Sequence, residues 1–280
     1  MIEEFEKQGY LYDDFRMFHI MDHCEREQAF HYHDFYKILI FISGNVSYNI
    51  EGKSYKLSPY DIVLVSKGDI HKPEYVAGEP YERVIFFISE EYLERHKGED
   101  FNLANCFEEA KKSGSDVLRF PAMVNTMLME QVGKLEKNGA ENRYAGELYA
   151  NALFMELLVL LNRACLEEAD CFSRNVHYNQ KMIDIIRYIN EHLNEELAID
   201  SLSERFYISK YHMMRQFKEE TGYTIHNYIT EKRVQMATQL IRSGMSATKA
   251  CFECGFKDYS TFSRAYKKRM DRSPSEGGGL

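Results

Sequence analysis

The sequence predicts an α+β protein in which an N-terminal antiparallel β-barrel is followed by helices and then by an all-α region with two helix-turn-helix units. Three observations indicate this order. Apolar residues alternate with period two up to about residue 90, they follow helical spacing from about residue 103, and one helical unit occurs twice near the C-terminus. We therefore predict three regions, which span 1–100, 101–175 and 176–280.

The composition is that of a globular protein with sizeable cores. Hydrophobic residues make up 44% of the 280 residues and charged residues 28%, which excludes collagen-like and disordered chains. The six cysteines are scattered through the chain, so we expect reduced thiols rather than a disulfide framework. The N-terminus is acidic and carries no secretory signal, and no apolar run reaches the length of a membrane span. We therefore expect a cytoplasmic protein.

Strands are predicted where short apolar runs are separated by turn residues. The four runs are Lys37–Ile42, Val46–Ile50, Ile62–Val65 and Val84–Ile88. Within the second run, apolar and polar residues alternate, which is typical of a strand that is buried on one face. The runs together predict a small antiparallel barrel or sandwich.

A long apolar helix is predicted over 141–168. One face carries Leu148, Ala152, Met155, Leu158 and Leu161, and three more leucines widen it beyond the stripe of a surface helix, namely Leu153, Leu157 and Leu160. Such a helix packs either into the core of its own chain or against a second subunit. We expect the second, which makes 101–175 a helical linker and dimerisation segment with Leu157 and Leu161 at the interface between subunits. The polar, aperiodic residues 170–180 that follow it are the predicted domain boundary.

The last hundred residues predict successive short helices. Helical spacing of apolar residues begins at Met182, a second helix is expected near the capping residue Asp200, and a third is expected at Ser209. A shift of 49 residues places Ser209 on Asp258, Arg215 on Arg264 and Lys218 on Lys267. The 18 residues of 225–242 read as one helix of about 27 Å between the two copies, which suits two recognition helices about one DNA turn apart.

Charge is unevenly distributed along the chain. The net charge is −9, but residues 201–280 hold 14 basic and 8 acidic residues, a balance of +6. This is the sign expected of a surface that meets phosphates.

The repeated unit matches a known signature. The first copy runs from Ser209 to Lys218 with Gly222 behind it, and the second runs from Gly255 to Arg264 with Ser273 and Pro274 behind it. Across about 181–275 the chain resembles the double helix-turn-helix domain of AraC-type transcription regulators. The resemblance implies sequence-specific binding to double-stranded promoter or operator DNA, a homodimer, and RNA polymerase as a further partner.

The resemblance also implies roles for single residues. Tyr211 and Arg215 would read bases in the first unit, and Tyr259, Ser260 and Arg264 would do so in the second. Six further residues fall where members of the family contact phosphates or flank those contacts, namely Lys210, His212, Lys218, Thr261, Ser263 and Lys267.

The chain departs from the family pattern at two places. Asp271 stands where the second unit usually has Gly, and residues 276–280 replace the Tyr-Arg pair that often follows Pro274. Aspartate tolerates left-handed backbone better than most residues, so the first departure is mild. The second is expected to weaken the final helix.

The front domain resembles the small cupin-type barrel that is often fused to this DNA-binding unit. Its matching features are His31, His33 and Lys37, the hairpin around Gly44 and Gly52, and His71 after Pro59-Tyr60-Asp61. The resemblance implies a small-molecule effector bound by His31, His33, Lys37 and His71, and the many tyrosines suit a carbohydrate or similar polyol. Three imidazoles are able to form a zinc site. Because metal-binding cupins have a carboxylate in the place of the Lys37 cation, we predict no metal and no cofactor; His19 and His23 are predicted to be structural.

The predicted function is that of an effector-controlled transcription regulator that is not an enzyme. No nucleophile elbow, phosphate loop or HExxH motif is found, so no catalytic residue is predicted. The spacing of Cys251 and Cys254 lies inside a helix without a partner pair, which indicates buried thiols. Two alternatives are a metal-dependent cupin enzyme fused to a DNA-binding domain and a ligand-independent, constitutive regulator.

Overall fold

Two antiparallel sheets form the first part of the chain in the computed structural model, which describes residues 9, 11–23, 28–141, 143–168, 170–174 and 176–276. The strands are β1 (Phe15–His23), β2 (Tyr36–Ser43), β3 (Val46–Ile50), β4 (Lys53–Lys56), β5 (Ile62–Val65), β6 (His71–Tyr75), β7 (Pro80–Ile88), β8 (Val117–Leu118) and β9 (Val176–Tyr178). One sheet has the order β1-β7-β2-β5-β8, and the other has the order β6-β3-β4-β9.

The space between the sheets is an apolar core with a polar cavity at its side. Val46, Tyr48 and Ile50 of β3 point into it, which confirms the predicted alternation of that strand. The bounds of β3 and β5 agree with the sequence prediction, and β2 and β7 are longer than predicted. The remaining strands were not predicted, since several of them are short or rich in charged residues.

Four helices follow or interrupt the sheets. They are α1 (Glu90–Arg95), α2 (Asn105–Ser113), α3 (Ala122–Ala140) and α4 (Gly146–Glu167). Helix α4 begins five residues later than predicted, directly after Ala145 with its left-handed backbone at φ 57°. Within the described residues, α4 is the one helix long and apolar enough to cross a membrane by length and composition. Its apolar face nevertheless packs on α3 and on the larger sheet.

The burial of α4 divides the predicted apolar face into two parts. Leu157, Leu158 and Leu161 are buried in the core of their own chain, whereas Leu148 is 72% exposed. A role of Leu157 and Leu161 in pairing two subunits is therefore wrong, because these side chains already have partners within the chain. A second subunit has access to the side of the helix that carries Leu148.

The predicted boundary segment is hydrogen-bonded to the first part of the chain. Strand β9, at 176–178, pairs with β4, and Phe172 forms a bridge with Leu118. Ser173 N donates to the carbonyl oxygen of Val117 at 2.8 Å. The polar composition of 170–180 gave no sign of this pairing.

Six α-helices form most of the described residues between 180 and 276. They are α5 (Gln180–Glu191), α6 (Ile199–Arg205), α7 (Lys210–Thr221), α8 (Ile225–Arg242), α9 (Ala247–Glu253) and α10 (Tyr259–Met270). The expectation of a cap at Asp200 is wrong: α6 follows Ala198, which makes no side-chain cap, and Asp200 lies in the first turn. Its carboxylate is still favourable there, since it faces the positive end of the helix dipole.

Each helix-turn-helix unit has a core of its own. Met213, Phe217 and Tyr228 belong to the first core, and Phe262 and Tyr266 belong to the second. Helix α8 has the predicted bounds and supplies residues to both cores. It therefore fixes the distance between the two units.

Candidate functional site

Helix α7 presents the first predicted recognition surface. The side chain of Ser209 caps the helix by accepting from His212 N, and Gly222 ends it with φ 75°. Met213 and Phe217 are buried, so the opposite face is left to solvent. All five residues predicted to contact DNA are exposed on this helix, namely Lys210, Tyr211, His212, Arg215 and Lys218.

Helix α10 repeats this geometry 49 residues later. Asp258 caps it by accepting from Thr261 N at 2.7 Å, and Tyr266 is buried as Phe217 is in α7. Five of the six predicted residues are exposed, namely Tyr259, Ser260, Thr261, Arg264 and Lys267, and Ser263 is half-buried. Asp271 ends the helix with φ 54°, so aspartate adopts the left-handed conformation that glycine has in the first unit. Residues 277–280 lie outside the described residues.

Three exposed cations of these helices make contacts at the surface. Lys210 pairs with Asp200, and Arg215 Nε lies 4.0 Å from Glu219 Oε1. Arg264 Nε donates to the carbonyl oxygen of Ser260 at 3.4 Å. Because exposed pairs of this kind contribute little free energy, these side chains are available to phosphates and base edges at small cost.

A cavity of about 300 Å³ lies between the two sheets. His31, His33 and Lys37 contribute to its wall together with the face of Phe87, and further polar groups come from Tyr48, Tyr75, Tyr81 and Arg83. His71 lies behind this wall, with its ring centroid 4.4 Å from that of His31. Three of the four residues predicted to bind an effector therefore line the cavity, whereas His71 is fully buried next to them and does not line it.

The titratable groups at this cavity are shifted towards their neutral forms. Burial lowers the pKa of His31 to about 4, and it lowers the pKa of His71 well below the usual range. Lys37 is buried, its Nζ donates to Tyr48 Oη at 2.9 Å, and burial lowers its pKa to about 7. Uncharged nitrogens with lone pairs are thus present at neutral pH, beside a cation that is easily neutralised.

The segment that carries His31 and His33 also contacts the DNA-binding region. Residues 30–33 alternate in direction: the two histidines face the cavity, whereas Phe30 belongs to the core of the first helix-turn-helix unit. The Phe30 ring is so close to Gly222 that a Cβ there would lie 2.4 Å from it. Tyr32 is buried and hydrogen-bonds Glu231 of α8.

Glu231 continues this contact to the second recognition helix. Its side chain is 4% exposed and accepts from Arg269 Nε of α10 at 2.7 Å. Burial raises the pKa of Tyr32 well above its usual value, and the Glu231 carboxylate raises it further, so the hydroxyl keeps its proton as a donor. The segment 30–33 therefore reaches the end of α7 on one side and α10 on the other.

A second contact between the sheets and the C-terminal helices is formed by charged side chains. Glu51, in the turn between β3 and β4, accepts from Lys232 Nζ at 2.7 Å and from Tyr228 Oη at 2.6 Å. Lys232 also donates to the carbonyl oxygen of Gly68, at 3.0 Å. Ile70 N donates to Glu51 at 2.8 Å, so this contact lies one residue from His71.

These contact residues were not predicted from the sequence. Phe30 and Tyr32 carried a usable signal, because residues that alternate with two cavity-facing histidines in an extended segment must face the other side. Lys232 carried none, since a lysine in a helix usually lies on a solvated face. Tyr48 and Arg83 of the cavity were also missed, because nothing in the sequence places them opposite the histidines.

A second cleft and a pair of cysteines lie outside this cavity. The cleft, of about 970 Å³ between the sheets and α5, is lined half by charged side chains of both signs and half by uncharged residues. Cys251 and Cys254 are buried in the second core, and burial raises the pKa of the Cys254 thiol to about 12, as expected for unreactive thiols.

Two family models match this chain, one in the part with the sheets and one in the C-terminal helices. Residues 21–158 match the model of the AraC-like ligand binding domain, and residues 202–277 match that of a helix-turn-helix domain. The chain is 26% identical over 253 residues to the HTH-type transcriptional activator RhaS of Citrobacter koseri, with 88% of this chain and 86% of the relative covered. The RhaS protein of Escherichia coli O81 is 25% identical over 254 residues, with the same coverage of both chains.

Solved structures with related folds include ToxT of Vibrio cholerae and the C-terminal domain of AraT of Geobacillus stearothermophilus. ToxT is 16% identical, covers 97% of both chains and has a TM-score of 0.40. The AraT domain is 24% identical, covers 36% of this chain and 84% of its own, and has a TM-score of 0.35. The two matched domain models together cover most of the chain, and the relatives cover both regions in one alignment. The chain therefore belongs to the AraC-type transcription regulators, with an N-terminal ligand-binding domain and a C-terminal helix-turn-helix DNA-binding domain.

Proposed function

We propose that a small molecule bound in the cavity beside His31 controls how the two recognition helices meet DNA. The observation that carries this proposal is the alternation in 30–33, where cavity-facing histidines are covalent neighbours of Phe30 and Tyr32. A ligand that moves His31 or His33 must also move the residues between the sheets and the helices. The ligand then favours one arrangement of the two halves over another, which is a population shift.

The proposed DNA contacts are those assigned to α7 and α10. Arg215 and Arg264 are exposed, lie six positions after equivalent caps and are two positions from buried aromatic residues. In this position each guanidinium is able to reach a guanine edge in its own segment of the major groove. The neighbouring lysines and hydroxyls are assigned to phosphates, which position the protein without reading sequence.

We propose that the effector is a small polyol such as a sugar. The cavity offers hydroxyl groups from Tyr48, Tyr75 and Tyr81, the aromatic face of Phe87, and the nitrogen lone pairs of buried histidines. A sugar presents hydroxyl groups that both donate and accept, so it suits this mixed lining.

The test is a thermal-shift screen of the full chain with sugars and polyols, followed by DNA titration with and without each hit. The double variant His31→Ala, His71→Ala is expected to lose the ligand-induced shift while it still binds DNA. A shift that survives the double change would place the pocket elsewhere. A complete absence of hits, with DNA binding intact, would favour a constitutive regulator.

We further propose that the protein is a homodimer joined through the exposed side of α4. Leu148 and Ala152 are exposed there, and Met155 and Val159 continue the stripe while partly covered by the core. An apolar stripe on one helix is self-complementary when two copies meet about a two-fold axis. A dimer would place a second pair of recognition helices on a second half-site, which raises the avidity for DNA.

The remaining assignments rest on the family. We propose a cytoplasmic protein that acts by binding promoter DNA and RNA polymerase, in line with relatives that are transcriptional activators. No catalytic role is proposed for any residue.

A further inference from the structure

We propose that His31, His33 and His71 form a binding site for a divalent transition metal ion, with zinc as the best match. One nitrogen of each ring lies within 4.8 Å of the others, and all three residues are buried. The site would lie at the wall of the effector cavity. This proposal deepens the proposed function of the cavity, because it names a ligand for the same residues.

Hydrogen bonds to the backbone orient two of the three rings. His31 Nδ1 lies 2.9 Å from the carbonyl oxygen of Ala29, and His71 Nδ1 lies 2.9 Å from the carbonyl oxygen of Asp69. A carbonyl oxygen only accepts, so each Nδ1 carries the proton and each Nε2 carries a lone pair. Metal-binding histidines are typically held in this way, with the second ring nitrogen donating to a carbonyl or carboxylate oxygen.

The lone pair of His71 is the strongest single sign of a missing ligand. His71 is fully buried, and its Nε2 has no hydrogen-bond partner among the residues that the structure describes. A buried nitrogen without a partner is unfavourable, since it has lost its water and gained nothing in return. A metal ion between the three rings would give this atom its partner.

Three imidazoles are a known donor set for zinc. Zinc bonds to histidine nitrogen at about 2.0–2.1 Å and prefers four ligands in a tetrahedron, so three histidines leave one position open. Ligands in such a tetrahedron lie about 3.4 Å apart. The three nitrogens, which lie within 4.8 Å of one another, would have to approach by up to about 1.4 Å to reach this spacing. The open position is left for water or a ligand oxygen.

His19 shows by contrast why the trio stands out. Its two ring nitrogens are both engaged, with Glu136 at 2.5 Å and with Glu82 at 3.0 Å, and its side chain is 37% exposed. No lone pair is left over for an ion there. Both ring nitrogens of the half-exposed His19 thus have hydrogen-bond partners, whereas Nε2 of the buried His71 has none among the described residues.

Lys37 is the feature that opposes the ion. It is buried near the histidines, and its positive charge acts on both His31 and His71. A second cation at this distance weakens metal binding by repulsion. Removal of the Lys37 charge without loss of side-chain volume should therefore tighten metal binding.

The test uses the full chain, stripped with a chelator, and Zn²⁺ alone as the probe. Calorimetry and elemental analysis after dialysis are expected to give one zinc per chain, with a Kd in the micromolar range or below. The variants His31→Ala and His71→Ala should each weaken binding by at least about 100-fold, whereas the exposed-histidine control His226→Ala should bind like the parent. Lys37→Met should bind about 10-fold more tightly than the parent.

Co²⁺ in place of Zn²⁺ gives a readout of geometry, because tetrahedral Co²⁺ absorbs strongly in the visible range. If His71→Ala does not fold, the Lys37→Met variant and the Co²⁺ spectrum of the parent still test the metal site. A parent that takes up no Zn²⁺, or zinc content that is equal in His31→Ala and in the parent, would overturn the metal site. A polyol response that persists in metal-free protein would leave the effector proposal standing, so the two failures are distinguishable.

Discussion

Lys232 Nζ of α8 lies 2.7 Å from Glu51 Oε1 in the β3–β4 turn, and this ion pair joins the DNA-binding region to the sheets. Both side chains are largely covered, at 11% and 15% exposure. Burial opposes the charge on Lys232, but Glu51 and Asp69 raise its pKa, so Lys232 carries its charge at neutral pH. The two halves are thus held together by a partly buried charge as well as by the Phe30 contact.

Glu51→Gln is expected to destabilise the full chain by about 3 kcal/mol, because it removes the carboxylate that is paired with the covered Lys232 cation. Denaturant unfolding of the full chain measures this change. The control Glu91→Gln, whose carboxylate is 66% exposed and 3.8 Å from Arg242, should change stability by less than about 0.5 kcal/mol. Equal unfolding midpoints for the two variants would show that the Glu51 contact contributes nothing.

Gly222→Ala is expected to lower the free energy of unfolding by more than the backbone strain alone accounts for. The left-handed φ of 75° costs an L residue about 1–2 kcal/mol, and the new Cβ would also displace the Phe30 ring. Gly114→Ala is the matched control, since its φ is also 75° and no atom lies within 4 Å of the added Cβ. In a Phe30→Ala background most of the extra cost of Gly222→Ala over Gly114→Ala should disappear, because the ring atoms at 2.4 and 2.7 Å are gone and only the Cβ of residue 30, at 2.8 Å, remains. An extra cost that is unchanged in that background would exclude the Phe30 ring as its cause.

Arg215→Ala and Arg264→Ala are each expected to weaken specific DNA binding by about 1–3 kcal/mol and to relax preference at separate base pairs. Lys218→Ala should weaken binding to operator and scrambled DNA alike, as expected for a phosphate contact. Anisotropy titrations at fixed salt measure all three, with the exposed Arg187→Ala of α5 as the control. Parent-like affinity in both recognition-helix variants would show that these helices are misassigned.

Leu148→Asp is expected to give a folded monomer if α4 joins two subunits, because the charge falls on the exposed side of that helix. Light scattering gives the mass, and thermal unfolding checks the fold. Leu161→Asp should instead lower stability sharply, since Leu161 is 2% exposed in the core of its own chain. A stable Leu148→Asp dimer would remove α4 from the interface.

The sequence predicts the fold best where local chemistry decides it. Alternation in 46–50 and the caps at Ser209 and Asp258 depend only on near neighbours, and the structure confirms them. Strand β4, with the sequence KSYK, was missed because its pairing with β3 and β9 overrides a polar composition.

The candidate sites also include parts that local sequence predicts and parts that only distant contacts determine. The residues predicted to contact DNA follow from a repeated local pattern, and the structure leaves all but Ser263 exposed. The contact between Lys232 and Glu51 joins residues 181 positions apart, so no local pattern indicates it. The third ring of the histidine trio likewise comes from a distant strand, and only the folded chain places His71 beside His31.

The most direct test of this account is a hydroxyl-radical footprint of the full chain on the DNA upstream of its own gene, repeated with Arg215→Ala and Arg264→Ala. Two recognition helices joined by α8 predict that each bound chain protects two tracts about 10 base pairs apart on one face of the duplex. Each variant should lose protection mainly in one tract, and the two variants should lose different tracts. A single protected tract per chain, or loss of the same tract in both variants, would contradict the account.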